Sequence, residues 1–312
     1  MEIINDLSTY KSTTKTFVTI GTFDGVHIGH QKVLKNLVKN AKINNATPSL
    51  LTFFPHPRMV LEKDKEIKLI NTIDERISLL KKTGLKFLII QKFTKEYANK
   101  TALNFVKNIL VDKLNVSKLI IGYDHQFGKN REGDFSQLQK YGQQFNFTVE
   151  EISQLNVDSI TISSTKIRKA IEAGKIETAN NYLGYNFMLT GEVVKGRNLG
   201  EKIKFPTANL NISETYKLIP KTGAYIVKSE IENSTVFGMM NIGYRPTVSG
   251  KHQTIEIHFF DFNKNLYGAK IQVEILKFLR GEQNFQSIEN LKNQLQKDKQ
   301  KSLKYINGLL FD

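Results

Sequence analysis

The stretch FVTIGTFDGVHIGHQKVLKNLVKNA, residues 17–41, decides the fold of the first half of the chain. Its first four residues are apolar or β-branched, which is typical of a short buried strand. A glycine-rich turn follows at once, and from Gln31 to Ala41 the apolar residues recur at helical spacing. A strand that passes through a turn directly into a helix indicates the start of a βαβ unit.

Strand and helix patterns alternate along the rest of this half. Apolar runs predict strands at 50–54, 87–90 and 119–121, and helical patterns lie between them at 73–80 and 101–110. Continuous apolar runs are typical of strands that are covered on both faces. The first half is therefore predicted to be an α/β domain with a doubly wound parallel sheet.

The pattern changes near residue 184, where β-type runs begin to dominate. These runs, separated by turn residues, are 189–194, 224–231, 235–242, 254–262 and 270–276. A helical pattern then closes the chain from about 287 to 309. This order predicts a small antiparallel β-barrel with a terminal helix, and it divides the chain into domains 1–183 and 184–312.

Composition narrows the class of protein. The chain has 312 residues, a net charge of +15 and no cysteine. The missing cysteine excludes disulfides, thiolate metal sites and a cysteine nucleophile. The positive charge suits anionic ligands, either nucleotides or nucleic acid. A lysine cluster at 297–304 is typical of a solvated helix face, and no basic motif interleaved with aromatic residues is present. Nucleic-acid binding is therefore the weaker alternative.

The sequence also bears on location and partners. Residues 1–15 are polar and lack the apolar region of a signal peptide, and no stretch approaches the ~20 apolar residues of a membrane span. We therefore expect a cytoplasmic protein whose partners are small molecules, with no nucleic-acid or membrane partner. The sequence does not indicate an oligomeric state.

The turn after the first strand is the first candidate site. Gly21 and Gly25 let the backbone approach a ligand closely, and the helix N-terminus that follows attracts phosphate. His27 and His30 are three residues apart, so they can share one face of the first helical turn and donate hydrogen bonds to phosphate. A metal site and an idle histidine pair stay open as alternatives, although no His-Glu-x-x-His pattern is present.

A second candidate anion clamp lies about 135 residues further on, in Ser163-Ser164-Thr165-Lys166-Ile167-Arg168. Serine before a helical run is a natural N-cap. Hydroxyl groups together with Arg168 at a helix start can also bind an anion.

The β-rich half contains a further constellation. Thr207 and Asn209 offer the hard oxygen ligands that Mg²⁺ prefers, and the glycine-rich basic stretch at 191–200 can fold over phosphates. Read alone, residues 206–209 could also be a simple turn. Glu256 and His258 share one strand face, and a carboxylate facing a ligand can accept a hydroxyl proton. A charge on an exposed strand face is the alternative for Glu256.

Together these stretches resemble the bacterial riboflavin kinase/FAD synthetase family over residues 14–305. The matching motifs, in chain order, are Gly-x-Phe-Asp-Gly-x-His-x-Gly-His at 21–30, Phe-x-Pro-His-Pro at 53–57, Gly-x-Asp-x-x-Phe-Gly at 122–128, Ser-Ser-Thr-x-x-Arg at 163–168, Pro-Thr-Ala-Asn at 206–209, Glu-x-His at 256–258 and Leu-Tyr-Gly at 266–268. The resemblance implies an enzyme that phosphorylates riboflavin to FMN with ATP and then adenylylates FMN with a second ATP to give FAD.

The resemblance also implies residue roles. Catalytic roles fall on His27, His30 and Glu256, with Glu256 as the general base on the riboflavin 5′-hydroxyl. ATP binding falls on Gly21, Phe23, Asp24, Gly25, Ser163, Ser164, Thr165 and Arg168 in the first half, and on Gly191, Lys195, Gly196, Pro206, Thr207 and Asn209 in the second. Mg²⁺ is assigned to Thr207 and Asn209, and flavin binding to Asp124, Phe127 and Arg280.

Two positions depart from the family pattern. Family members often carry Phe where this chain has His125, and they usually carry Gly where it has Lys204. Lys204 precedes the proposed ATP site of the second half, so it could block a phosphate or contact one. An enzyme that is active only in its N-terminal half therefore stays open as an alternative.

Overall fold

The computed structural model describes residues 1–8, 10–62, 67–123, 126–129, 132–153, 156–157, 160–196, 200, 203–247 and 250–311. In space the chain forms two compact units, Met1–Ser164 and Thr165–Asp312. This division falls between residues 164 and 165, whereas the change to β-type runs in the sequence places the boundary near residue 184. The boundary at 184 therefore remains a prediction.

A parallel sheet forms the centre of the first unit. Its strands are β1 (Glu2–Ile4), β2 (Thr16–Ile20), β3 (Thr47–Phe54), β4 (Phe87–Lys92), β5 (Val116–Gly122) and β6 (Thr148–Ile152). They lie in the order β1-β4-β3-β2-β5-β6, and each neighbouring pair is parallel. A short antiparallel pair, β7 (Asn156–Val157) and β8 (Ile160–Thr161), follows. The predicted strands correspond to β2, β3, β4 and β5.

Helices connect the strands of the sheet. They are α1 (Ile28–Ile43), α2 (Pro57–Leu61), α3 (Ile73–Lys81), α4 (Lys95–Ala98), α5 (Ala102–Phe105), which continues as a π-helical turn over Val106–Val111, and α6 (Phe135–Phe145). Neighbouring strand residues pack on opposite faces: Val18 and Ile20 belong to one apolar core, whereas Phe17 belongs to the other. Both faces of the sheet are thus covered, which confirms the doubly wound α/β prediction.

A closed antiparallel barrel forms the second unit. Its strands are β9 (Met188–Val194), β10 (Ala208–Asn211), β11 (Gly223–Ile231), β12 (Ser234–Thr247), β13 (Gly250–Phe259) and β14 (Lys270–Gly281). They close in the order β10-β13-β12-β11-β14-β9. The barrel prediction is confirmed. β13 ends at Phe259 rather than at Phe262, because the chain turns at Asp261, whose φ is 51°.

Among the described residues, the barrel is accompanied by α7 (Ser164–Glu172), which starts at the last residue of the first unit, α8 (Ile176–Leu183) and the terminal α9 (Ile288–Phe311). Asn180 on α8 donates to the Ile275 carbonyl at 2.9 Å and accepts from the Phe187 amide at 2.8 Å. Ile306 on α9 packs into an apolar cluster with barrel residues. Within the described ranges, no helix is long and apolar enough to cross a membrane.

Candidate active sites

The two histidines of the first unit lie together at the N-terminus of α1. His27 is the N-cap of this helix, and its Nδ1 accepts a hydrogen bond from the His30 backbone amide at 3.4 Å. Because an amide N–H only donates, Nδ1 is unprotonated and the neutral ring carries its proton on Nε2. The two imidazole rings stack with centroids 3.6 Å apart, and the Phe23 ring lies 4.6 Å from His30.

Burial keeps His30 neutral. Desolvation lowers the pKa of His30 well below its ordinary value, and repulsion from His27, when that ring is protonated, and from the Arg76 cation lowers it further. The Nδ1 atom of His30 is shielded from solvent and makes no hydrogen bond within the described part of the chain. A neutral imidazole can donate a hydrogen bond to phosphate without first losing or gaining a proton.

The loop that carries the histidines has a strained backbone. Phe23 has φ 50° and Val26 has φ 36°, in the left-handed region that residues with a Cβ rarely adopt. Gly25 lies between them with φ 87°, where glycine is tolerated without strain. Each non-glycine residue in such a conformation costs on the order of 1–3 kcal/mol and persists only where the surroundings hold it.

Asp24 is one of the residues that hold this loop. Its carboxylate is completely buried and accepts hydrogen bonds from the backbone amides of Ile70, at 3.0 Å, and Asn71, at 3.3 Å. The Asp24 carbonyl accepts a hydrogen bond from the Ser164 hydroxyl at 2.9 Å. The structure therefore brings the serine-rich segment and the histidine loop together across 140 residues of sequence.

The carbonyl of Thr22 is the second fixed point of the loop. It accepts a hydrogen bond from Arg76 Nη1 at 2.8 Å and another from the Thr52 hydroxyl at 3.2 Å. Arg76 lies on α3 and is fully buried. Helix α3 itself begins with a capping box, in which Thr72 and Glu75 hydrogen-bond to each other's backbone amides.

The sequence pattern does not identify Arg76 as a residue of this site. The Thr-x-x-Glu capping signature was visible and marks where α3 starts. Nothing in the local pattern distinguishes a buried arginine from an exposed one at this position, because the contact to Thr22 spans 54 residues.

Other predicted residues of the first unit are placed as follows. Gly21 follows β2 and begins the histidine loop, and Ser163 precedes α7 and is partly exposed. Thr165 and Arg168 continue α7 within the second unit. Asp124, like His125, lies outside the described residues. The Phe127 ring is buried in a core cluster, with its centroid 5.8 Å from that of Phe105.

Strand register assembles the polar residues of the second unit. Asn209 on β10 lies opposite Glu256 on β13, and Glu256 lies opposite Asn241 on β12. Directly opposed residues of antiparallel strands point to the same face, with Cβ atoms about 4.5–5.5 Å apart. Glu256 is thus flanked by two amide residues on one face of the barrel. The sequence pattern does not indicate Asn241, since only strand pairing identifies it as a neighbour of Glu256.

His258 fixes the backbone just before Thr207. Its Nδ1 lies 2.9 Å from the Pro206 carbonyl, and because a carbonyl only accepts, Nδ1 carries the proton. Burial lowers the pKa of His258, so the ring is neutral at pH 7. The rings of Phe205 and Phe260 lie edge-on to the imidazole, with centroids 5.1 Å and 5.8 Å away.

The glycine-rich stretch meets this motif at Gly196. A Cβ atom at Gly196 would lie 2.2 Å from the Asn209 side-chain nitrogen, so the amide rests directly against this backbone. Lys195 is exposed, and Gly191 is buried on β9 against the carbonyl of Asn211. Residues 197–199 of the stretch lie outside the described ranges.

Lys204 has a left-handed backbone conformation, which glycine adopts more easily than other residues. Its φ is 65° and its side chain is exposed. At this position the chain therefore combines a left-handed backbone with a side chain that faces solvent.

Arg280, a predicted flavin residue, pairs with the terminal helix. Its Nε and Nη2 atoms lie 2.9 Å and 2.8 Å from one carboxylate oxygen of Asp298, which is 1% exposed. Its Nη1 donates to the Gly281 carbonyl at 3.1 Å, and the guanidinium lies 5.8 Å from the Phe285 ring centroid. These contacts tie α9 to β14, and the flavin role of Arg280 stays a prediction.

Two family descriptions match this chain, one for each half. Residues 9–166 match FAD synthetase, and residues 183–306 match riboflavin kinase. A bifunctional riboflavin kinase/FMN adenylyltransferase of Buchnera aphidicola is 40% identical over 98% of this chain and 99% of its own length. The enzyme of the same name from Bacillus subtilis is 36% identical over 95% of this chain and 94% of its own length.

A solved structure shares the fold along the whole chain. It is a crystal structure described as a macrolide-efflux protein from Streptococcus pneumoniae, with 29% sequence identity and a TM-score of 0.87. The match covers 96% of this chain and 97% of that one. The sequence matches, the fold and the two polar sites agree: the chain belongs to the family of bifunctional riboflavin kinase/FMN adenylyltransferases.

Proposed function

We propose that each half of this bifunctional transferase carries one of its two activities. Residues 184–312 transfer the γ-phosphoryl group of ATP to riboflavin, and residues 1–183 transfer the adenylyl group of a second ATP to FMN. The observation that carries the proposal is that each compact unit contains its own polar site, the histidine pair on α1 in one and the Asn209–Glu256 pair in the other.

In the kinase reaction, Glu256 is the general base. Its carboxylate takes the proton of the riboflavin 5′-hydroxyl as that oxygen attacks the γ-phosphorus, and the bond to the ADP oxygen breaks. The position of Glu256 on a rigid strand between Asn209 and Asn241 favours this role, because the base must be held close to the hydroxyl.

Thr207 and Asn209 would hold Mg²⁺ together with the ATP phosphates. The donor set fits, since a threonine hydroxyl and an amide carbonyl are oxygen ligands and Mg²⁺ commonly takes its remaining ligands from phosphates and water. When bound, the ion neutralises charge on the transferred phosphate. His258 supports the site by donating to the Pro206 carbonyl, and Gly191, Lys195, Gly196 and Pro206 complete the ATP-binding region.

In the adenylyltransferase reaction, a phosphate oxygen of FMN attacks the α-phosphorus of ATP. A new P–O bond forms, the bond to the β-phosphate oxygen breaks, and pyrophosphate leaves. His27 and His30 donate hydrogen bonds to the phosphate oxygens where negative charge develops. Ser163, Ser164, Thr165 and Arg168 bind the remaining phosphates, while Gly21, Phe23, Asp24 and Gly25 shape the loop. This step needs no covalent enzyme intermediate.

The remaining assignments follow the same resemblance. Asp124, Phe127 and Arg280 contribute to flavin binding, the enzyme works in the cytoplasm, and its ligands are small molecules rather than nucleic acid. Among the described residues, no group of three or more His, Cys, Asp or Glu side chains could hold a metal ion.

The direct test is to incubate the purified protein with riboflavin, ATP and Mg²⁺ and to separate the flavins by chromatography. We expect FMN first and FAD later. FAD from supplied FMN, but no FMN from riboflavin, would mean that only the N-terminal half is active, and Lys204 would be the first residue to exchange. Absence of product from both flavins would refute the proposal, and DNA retention would then be measured.

A further inference from the structure

The conformation of the loop at residues 21–27 needs an external support. Phe23 and Val26 both adopt left-handed backbone angles, yet their side chains are almost fully buried. Such a loop would relax to an ordinary backbone unless other groups hold it. The position of the two histidine rings depends on this loop, because His27 is both its last residue and the N-cap of α1.

The supports come largely from the start of α3 and the segment before it. The amides of Ile70 and Asn71 bind the Asp24 carboxylate, and Arg76 Nη1 binds the Thr22 carbonyl. Asp24 and Thr22 flank Phe23, so the two contacts hold the strained residue from both sides. The capping box of α3 stabilises the helix turn that carries Arg76.

Arg76 is not placed to touch a ligand itself. It is 0% exposed, so a nucleotide approaching from solvent does not reach its guanidinium. Burying a guanidinium is costly, and an apolar residue of similar length would fill the same space without that cost. Packing alone therefore does not explain why a charged residue with this donor geometry is buried at position 76.

We propose that Arg76 is a positioning residue for adenylyl transfer, which holds the histidine loop in its strained conformation through the carbonyl of Thr22. The inference rests on the proposed role of His27 and His30. The guanidinium has a second effect on the same site, since its charge is one of the causes that lower the pKa of His30. The charged and titratable groups that act on His30 are His27 from its own element and Arg76 from α3.

The test compares variants of Arg76 in the full-length enzyme, with the kinase activity of the same chain as an internal control. We expect Arg76→Met to lower kcat for FAD formation from FMN by roughly 100-fold, because a misplacement of about 1 Å at catalytic groups has an effect of that size. The KM for ATP should change much less. In Arg76→Lys, kcat for FAD formation should fall by roughly 10-fold, since lysine keeps the charge but not the donor geometry.

Histidine ring resonances supply a readout that a purely structural role would not move. NMR titration of His30 should show a raised pKa in Arg76→Met and a pKa close to the parent value in Arg76→Lys. Lys81→Met is the matched control, because Lys81 is an exposed cation at the end of the same helix. It should change neither activity nor the titration.

A second variant covers the case in which Arg76→Met does not fold. Thr52→Val removes only the other hydrogen bond to the Thr22 carbonyl and keeps the side-chain shape, so we expect a roughly 3- to 10-fold loss of adenylyl transfer with kinase activity intact. Unchanged adenylyl transfer in folded Arg76→Met, or in Thr52→Val if the first variant is unfolded, overturns the inference. Unchanged adenylyl transfer in His30→Asn would instead refute the proposed site.

Discussion

The histidine loop of the first unit and the Asn209–Glu256 pair of the second position polar groups by different means. The loop has left-handed residues at Phe23 and Val26 and is held by a few hydrogen bonds from distant segments. Asn209 and Glu256 instead lie on neighbouring strands of a closed barrel, where the backbone ladder sets their separation.

This difference has consequences for the two reactions. A site on paired strands tolerates the loss of one nearby side chain, because many backbone hydrogen bonds together fix the positions of the strands. A strained loop depends on a few contacts, each worth about 0.5–1.5 kcal/mol between neutral groups and about 1.5–3 kcal/mol where a charged group takes part. We therefore expect substitutions remote from the ligands to affect adenylyl transfer more than the kinase reaction.

The largest expected effect is the loss of the kinase base. Glu256→Gln keeps the size of the side chain but removes the proton acceptor, so phosphorylation of riboflavin should fall by about 10²- to 10⁴-fold. FAD formation from supplied FMN in the same preparation serves as the control. Kinase activity within a factor of two of the parent enzyme would show that Glu256 is not the base.

A somewhat smaller loss is expected at the histidine pair. His30→Asn keeps one side-chain donor but removes the imidazole, and adenylyl transfer should fall by roughly 10²- to 10³-fold, the usual effect of losing a donor to developing charge. Kinetics with FMN and ATP measure the loss. Riboflavin phosphorylation should remain at the parent rate, and a parallel fall in both activities would contradict separate sites.

Lys204 tests the backbone strain of the second unit. Because Lys204 has φ 65°, glycine should fit its backbone better than alanine, and Lys204→Gly should be more stable than Lys204→Ala by about 1 kcal/mol. Urea unfolding followed by circular dichroism measures the difference. Both variants remove the same charge, so equal stability would show that the left-handed backbone carries no strain at this position.

The smallest expected effect is a loss of folding stability at low pH. Both His30 and His258 have a lowered pKa in the folded chain, so below about pH 6.5 the unfolded chain binds more protons. The contribution of these two histidines to folding stability is complete above about pH 6.5 and is lost as the pH falls. Because the pKa of His30 is lowered more than that of His258, the first unit should lose more folding stability as the pH falls.

Hydrogen exchange at pH 7 and pH 5.5, corrected for intrinsic rates, measures this loss separately for amides of β2 and β13. His30→Asn and His258→Asn should each remove the pH-dependent part in their own unit only. An equal pH response in parent and variants would show that neither histidine is linked to folding.

Much of the architecture followed from local pattern. Apolar runs in β2, β3, β4 and β5 predicted a parallel sheet, because a strand that is buried on both faces is apolar at nearly every position. The barrel strands after residue 188 and the terminal helix also followed from periodicity. Short β1 and the partly exposed β6 were missed, since their residues carry weak apolar patterns. Helix α6 was also missed, although its apolar residues recur at helical spacing.

The motifs located the two sites, but their internal geometry needed the fold. Histidine spacing on one helix turn is a local property, so the sequence was enough to pair His27 with His30. The contacts of Asp24 with Ile70 and of Thr22 with Arg76 join residues 46 and 54 positions apart in the chain, and the register of β12 and β13 sets Asn241 opposite Glu256. Only strand register and helix packing bring such residues together, and those depend on burying the two cores as a whole.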